Sequence, residues 1–305
     1  AVHLMGSIKL ETTGKKHTSK KSLDTLVPDI NKLLVNLVYK KKVPVTEEQI
    51  SRFLNNIKEV IMDFTSPMKA DKGVLRMSIL GRPARQLWYD RNRPFKKSVP
   101  DPALQLKFLN GHIMEHLILF LAELAGHKVT DQQKKVTVDG IVGHMDSKID
   151  GEVVDVKTAS SHGFRKFKDG TLYEDDPFGY VAQLSGYEEN EPTNKGGFLA
   201  LNKATGELAL FRPDDLMKPN VSVLIKDVKE KLAKDTPPDK CYEPIPHEKG
   251  GNMKLPMGCF FCNHKVECHA DTNEGKGLRL FQYAKSKVYM TKVMKEPKVE
   301  ELAIE

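Results

Sequence analysis

The spacing of apolar positions divides the chain into helical and strand-like stretches. Residues 23–39 and 46–64 read as two helices. The second opens on a capping box, Thr46 with Gln49, and repeats apolar side chains at Ile50, Phe53, Leu54, Ile57, Val60 and Ile61. A Pro-, Gly- and Lys-rich connection leads to a long apolar helix over 103–125, stopped by Gly126. Residues 136–158 alternate as two strands broken at Asp150-Gly151, a dipeptide that favours a two-residue hairpin turn. A short helix is predicted over 178–189, and a second hairpin over 197–211 that turns at residues 203–206. Residues 220–234 form an amphipathic helix with Val221, Leu224, Val228 and Leu232 on one face. A Pro- and Cys-bearing stretch follows, then strand-like pieces near 278–283 and 287–293. With no internal repeat or low-complexity tract, the pattern predicts one α/β domain with helical and metal-binding additions.

Composition narrows the class. The chain has 305 residues, 39% hydrophobic and 29% charged. That excludes a largely disordered chain, and no apolar run of about eighteen residues exists to span a bilayer. No signal-peptide pattern is present, so a cytoplasmic location is expected, in a bacterium or a phage-infected host cell. Ala1–Ser7 reads as vector-derived residue ahead of a Lys-rich tail, so residues 1–21 are expected to be tag and disordered basic tail. The net charge of +7 is a weak hint of a polyanionic partner, but its distribution says more. Between Pro67 and Lys97 stand Lys69, Lys72, Arg76, Arg82, Arg85, Arg91, Arg93, Lys96 and Lys97, opposed by Asp71 and Asp90 alone. Such a stretch is either a solvated loop or a phosphate-contacting surface, the second because Trp88, Tyr89 and Phe95 are interleaved and could stack on bases.

The first hairpin carries the candidate chemistry. With Asp150 and Gly151 as the turn, Ile149 pairs with Glu152 and Asp146 falls opposite Asp155. Period-two alternation puts Lys157 on the face of Asp155, opposite His144, while Met145, Ile149, Val154 and Val156 make a core face. Like charges directly across a hairpin are destabilising unless something positive lies between them. Lys157 plus a divalent cation would serve, and so would a simple exposed ion pair. A hard cation such as Mg²⁺ held by carboxylates activates water and stabilises a phosphoryl centre. In the long helix, Glu115 sits among Phe108, Ile118, Leu119 and Ala122, where a lone carboxylate needs a partner, so it is a candidate third ligand. Gln183 and Tyr187, four apart, form a polar-aromatic stripe with Tyr180.

The order Gly111-x-x-x-Glu115, Gly143-His144-Met145-Asp146, Asp155-Val156-Lys157-Thr158 and Gln183-x-x-x-Tyr187 resembles the PD-(D/E)XK nucleases. More narrowly it is similar to their RecB-type exonuclease branch, which includes phage recombination exonucleases. The segment Leu75–Tyr89 looks like that branch's opening motif, and the resemblance spans about residues 75–268. It implies a central mixed sheet flanked by helices, a restriction-endonuclease-like core, and hydrolysis of DNA phosphodiesters with Mg²⁺ or Mn²⁺. Glu115, Asp146 and Asp155 would then be metal ligands, Val156 would offer its backbone carbonyl, Lys157 would orient the attacking water, and Gln183 and Tyr187 would contact the nucleic acid. Many members use a histidine on the helix, so His116 stands as the alternative to Glu115. A single-strand annealing or recombination protein is a further candidate partner. Two other readings share these motifs: a site-specific endonuclease, and a nuclease-like module that binds DNA without cutting it. Directly after the catalytic strand, Arg165, Lys166 and Lys168 could grip a strand of DNA, or belong to a mobile solvated loop. With Arg76, Arg82, Arg85 and Trp88 they make the candidate DNA surface.

Cys241, Cys259, Cys262 and Cys268 are all the cysteines of the chain. Clustered in a chain expected to be intracellular, they point to metal ligation before disulfides. The Cys259–Cys268 spacing resembles the trio that holds a [4Fe–4S] cluster in RecB-type and CRISPR-associated nucleases, whose fourth cysteine comes from the opening motif. Here that motif reads Gly81-Arg82-Pro83-Ala84-Arg85 without a cysteine, and Cys241 is the candidate replacement. Zn²⁺ is the alternative, with Cys241, His264, His269 or His247 as fourth ligand. The expected organisation is thus a helical segment over 22–66, a nuclease core with its basic segment over 67–235, and a cysteine module with C-terminal strands over 236–305.

Overall fold

The computed structural model describes residues 20–66, 73–93 and 102–304. Most of the expected basic tail lies outside these, as do Lys69, Asp71, Lys72, Phe95, Lys96 and Lys97 of the basic segment. In chain order come helices α1 (Leu23–Val38), α2 (Glu47–Thr65), α3 (Ala84–Asn92) and α4 (Pro102–Leu124). Strands β1 (Val129–Thr130), β2 (Lys134–Val138), β3 (Ile141–Met145), β4 (Ser147–Ile149) and β5 (Glu152–Ala159) follow. Then come α5 (Ser161–Lys168), α6 (Tyr180–Glu188), β6 (Gly197–Asn202), β7 (Leu208–Phe211) and α7 (Val221–Leu232). The last part holds β8 (Ile245–His247), β9 (Asn252–Lys254), β10 (Arg279–Gln282), β11 (Lys287–Lys292) and β12 (Glu300–Leu302), with single helical turns between. Among the described residues no helix is long and apolar enough to cross a membrane.

The central sheet runs β1-β4-β5-β6-β7. Only β5 and β6 pair in parallel, so the sheet is mixed, flanked by helices as expected. Alternation along β5 decides what each face meets. Val154 and Val156 pack with Leu199 and Leu201 against α1 and α4, burying Leu23, Leu26, Ile30, Ile118 and Leu119. On the opposite face Val153, Phe198 and Ala200 meet Phe164 and Phe167 of α5 and Leu184 and Tyr187 of α6. Asp155 and Lys157 belong to this second face, at the end where the apolar side chains give out.

The predicted turn at Asp150-Gly151 is present, both residues at positive φ, and Ile149 pairs with Glu152. The two-strand reading of 136–158 needs correction, however. The chain leaves the ladder at Asp146, and β3 turns away to pair with β2 through a second Asp-Gly turn, Asp139-Gly140. His144 therefore faces Lys135 rather than Lys157, and Met145 buries in the α6-side core instead of beside Val154. The connection after α2 also contains structure that the pattern did not predict, since α3 buries Leu87, Trp88 and Tyr89 in succession. C-terminal strands form a second antiparallel sheet, β12-β10-β11-β9-β8, around Phe281, Val288 and Met290.

Candidate active site

Four elements converge at the end of β5. The helix α4 supplies Glu115, the break between β3 and β4 supplies Asp146, β5 supplies Asp155 and Lys157, and α6 supplies Gln183 and Tyr187. Asp146 stands where the β4–β5 ladder stops, and its carboxylate takes over the ladder's role: Oδ2 accepts the Val156 N–H at 2.7 Å. Asp155 is 1% exposed, with Lys157 Nζ 2.6 Å from its Oδ2 as a contact ion pair. Neither Asp155 oxygen receives a well-aligned hydrogen bond among the described residues. Glu115 is likewise buried, and its Oε1 accepts from Gln133 Nε2 at 2.7 Å.

Lys157 is held from three sides. Besides Asp155, its ammonium donates to Gln183 Oε1 at 3.3 Å and lies 4.4 Å from the centre of the Tyr180 ring. Gln183 in turn donates through Nε2 to the Tyr187 hydroxyl at 3.0 Å. The stripe on α6 is therefore a chain that orients the lysine, and Tyr180 joins it through its π face.

The electrostatics follow from two buried carboxylates, Glu115 and Asp155, and the half-buried Asp146 facing one cation. Burial, with the Asp155 charge beside it, pushes Glu115 up to about 7 against the opposing pull of Lys157 and Gln133. Asp146 is driven well above the ordinary carboxylate range by burial first, then by Asp155 and Glu115. Burial alone would lower Lys157, but Asp155 and Asp146 outweigh it and raise its pKa. Burial pushes the Tyr187 hydroxyl up to about 12, which keeps it a neutral hydrogen-bonding group.

Hard oxygen donors, with Asp155 Oδ1 unpartnered among the described residues and carboxylates in excess of the positive charge, suit a divalent cation such as Mg²⁺, which keeps waters and substrate oxygens in its shell. Among the described residues no three Asp, Glu, His or Cys side chains stand in a geometry that closes on an ion unaided. His116, the alternative ligand, is buried beside α2 in a small cavity lined by Phe53, Phe120 and Arg52, its Nδ1 unpartnered among the described residues.

The candidate DNA-contacting residues divide. Trp88 is 2% exposed and its indole N–H donates to the Lys234 carbonyl at 2.7 Å, so its ring packs in the core instead of facing bases. Arg85 reaches the cysteines: its Nε donates to Cys268 Sγ at 3.0 Å, and it also donates to the Pro238 carbonyl. Arg76 is exposed and its backbone bridges to Val142, while Arg82 is half-buried, its Nε unpartnered among the described residues. The stretch after β5 is the helix α5, capped by Ser160, with Phe164 and Phe167 buried. Lys166 pairs with Asp175 and Lys168 with Glu207, while Arg165 is exposed to solvent. These contacts anchor Arg85, Lys166 and Lys168 to the protein itself.

All four cysteines line one cavity with Arg85, His264 and His269. Burial first, and then neighbouring sulfurs, raises the Cys259 thiol to about 12 and the Cys241 and Cys262 thiols by less. The module docks on α3: His264 Nε2 lies 2.6 Å from Asp90 Oδ1 and its ring stacks on Tyr89. Of the histidines considered for zinc, His269 lines the cavity with an Nδ1 that has no partner among the described residues, whereas His247 packs against Tyr283 elsewhere.

No protein-family model and no curated protein matches the chain. Among solved structures it is similar to SSO0001, at 16% identity and a TM-score of 0.37 over 72% of this chain and 96% of that one. It is also similar to LHK-Exo in complex with dAMP, at 13% identity and a TM-score of 0.36 over 53% of this chain and 88% of that one. Both are loose superpositions at low identity, and the chemistry has to be read from the side chains.

Proposed function

We propose that the protein is a divalent-metal-dependent DNA nuclease, of the exonuclease kind that feeds recombination, repair or phage DNA processing. The observation that carries the reading is the meeting of Glu115, Asp146, Asp155 and Lys157 at one sheet end, with Gln183 and Tyr187 aligned on the lysine. Residue types and chain order match the PD-(D/E)XK pattern given above. Glu115, Asp146 and Asp155 would hold Mg²⁺ or Mn²⁺, helped by the Val156 carbonyl. When bound, the ion supplies a polarised water and neutralises charge on the scissile phosphate.

The chain's own residues do the rest. Lys157, held by Asp155, Gln183 and Tyr180, would place a positive charge and directed N–H donors beside the phosphate from an ammonium already oriented. Gln183 and Tyr187 keep that ammonium aimed. The cysteine module would hold a [4Fe–4S] cluster, or Zn²⁺ in its place, through Cys241, Cys259, Cys262 and Cys268, and would act structurally by pinning the C-terminal sheet to α3.

The test is cleavage of linear, closed circular and single-stranded DNA with and without Mg²⁺, using wild type and Lys157→Ala. Digestion of linear DNA that requires the metal, and that falls by about 10²–10³-fold or more in the variant while DNA binding persists, supports the reading. Cutting of closed circles favours an endonuclease. Binding without any cutting favours a module that only binds DNA.

A further inference from the structure

The loop between β1 and β2 has no place in the motif pattern, yet it touches one of the three carboxylates and the backbone of the residue that bears a second. Gln133 lies at its centre. Its side-chain amide donates to Glu115 Oε1 at 2.7 Å, and its backbone N–H donates to the Asp146 carbonyl at 3.2 Å. One residue therefore fixes a carboxylate on α4 and the chain segment carrying a carboxylate between β3 and β4. Its backbone is strained to do so. Gln133 has φ +56 and Asp131 has φ +53, a region that a residue with a β-carbon occupies only where its surroundings impose it.

The loop is braced from outside the nuclease motifs. Gln132, the next residue back, accepts at Oε1 from Asn56 Nδ2 of α2 at 2.6 Å. Helix α2 is itself tied to the helix that bears Glu115. Phe53 stacks on Phe120 with ring centres 4.8 Å apart, and Arg52 pairs with Glu123. A continuous path of contacts thus runs from α2 through Asn56, Gln132 and Gln133 to Glu115 and Asp146.

Resting on the nuclease reading, we infer that Gln133 is a positioning residue for the metal ligands Glu115 and Asp146, and that α2 is the brace that holds it. A neutral amide suits this task. It engages one oxygen of Glu115 and leaves the other open. Unlike a lysine or arginine it adds no positive charge that would compete with an incoming cation. The strained backbone is what lets the side chain point one way and the N–H the other, so both arms reach from a single residue. This gives α2 a function that its own sequence does not suggest.

The experiment measures Mn²⁺ binding to the full chain without DNA, by the loss of the free-ion paramagnetic resonance signal, alongside thermal melts. Gln133→Ala removes the amide and keeps the backbone constraint, whereas Gln133→Gly removes the amide and relaxes the constraint. Both are expected to weaken Mn²⁺ binding by about tenfold or more, the usual consequence of losing an outer partner of a ligand. Asn56→Ala, far from the ion, is expected to weaken it less but in the same direction. The glycine variant should keep the wild-type melting temperature or exceed it, which separates loss of affinity from loss of fold. Wild-type affinity in both Gln133 variants overturns the inference. Affinity kept by glycine and lost by alanine overturns it too, since the backbone alone would then matter. Absence of Mn²⁺ binding by the wild type would sink the nuclease reading and this inference together, whereas tight binding unaffected by Gln133 sinks this inference alone.

Discussion

Glu115→Gln should make the metal-free protein more stable, and the size of the gain follows from the site. Buried beside Asp155, Glu115 titrates at about 7 in the folded protein against 4.5 for the free side chain. Each tenfold change in proton affinity corresponds to about 1.4 kcal/mol, so the ionised carboxylate costs the fold about 3 kcal/mol once fully deprotonated. The direction with pH is fixed by which state holds the proton. Between pH 4.5 and about 7 the folded chain keeps a proton that the unfolded chain has released, so stability falls as pH rises through that window. At pH 8 the full cost is present, and at pH 5 it is below about 1 kcal/mol. Glutamine has nearly the same shape and keeps an oxygen to accept from Gln133, so the substitution removes the charge and little else. At about 2 °C per kcal/mol for a chain this long, the variant should melt roughly 6 °C above wild type at pH 8 in a chelator, and within about 2 °C of it at pH 5.

Thermal melts followed by circular dichroism at both pH values test this, with and without Mn²⁺. In Mn²⁺ the order should reverse, because an ion that binds only the folded state stabilises wild type and finds a weaker site in the variant. A variant that melts at or below wild type at pH 8 in the chelator would refute the like-charge argument. An equal gain at both pH values would refute it as well, since the cause would then lie in packing.

Two further predictions concern the scaffold. Gly179 caps the start of α6 at φ +72, and a β-carbon there would stand 2.3 Å from the Gly81 carbonyl carbon. Gly179→Ala should therefore lower stability by about 3 kcal/mol or more, read as a drop in melting temperature, by forcing the 75–89 segment away from the helix that carries Gln183. For the cysteine module, purified protein is expected to be brown with iron found by metal analysis, and Cys262→Ser should lose both colour and thermal stability. Colourless protein with stoichiometric zinc would assign zinc instead, and protein free of both metals would refute the module's proposed role.

What the sequence made legible was whatever repeats with a period or sits in a defined turn. Strand β5 could be placed because Asp150-Gly151 sets its register, so Asp155 and Lys157 could be assigned to one face from the residue order alone. The α6 stripe was visible because Gln183 and Tyr187 lie four apart, and the structure bonds them. Helix α3 was not visible, since Leu87, Trp88 and Tyr89 bury in succession between α7 and the cysteine module, and burial on all sides erases the one-sided pattern that marks an amphipathic helix. The same burial turned Trp88 and Arg85 from apparent DNA contacts into packing and cysteine contacts, because a Lys/Arg count along the chain says nothing about which charges already have partners within it. The departure of the chain at Asp146 was hidden for a different reason. Alternation continues smoothly from β3 into β4, and only the competing turn at Asp139-Gly140 reveals that β3 has another partner. Gln133 had no signal at all. A glutamine in a polar loop looks like solvent-facing filler until the fold brings Glu115 within 2.7 Å of its amide, so its contact with that carboxylate is legible only in three dimensions.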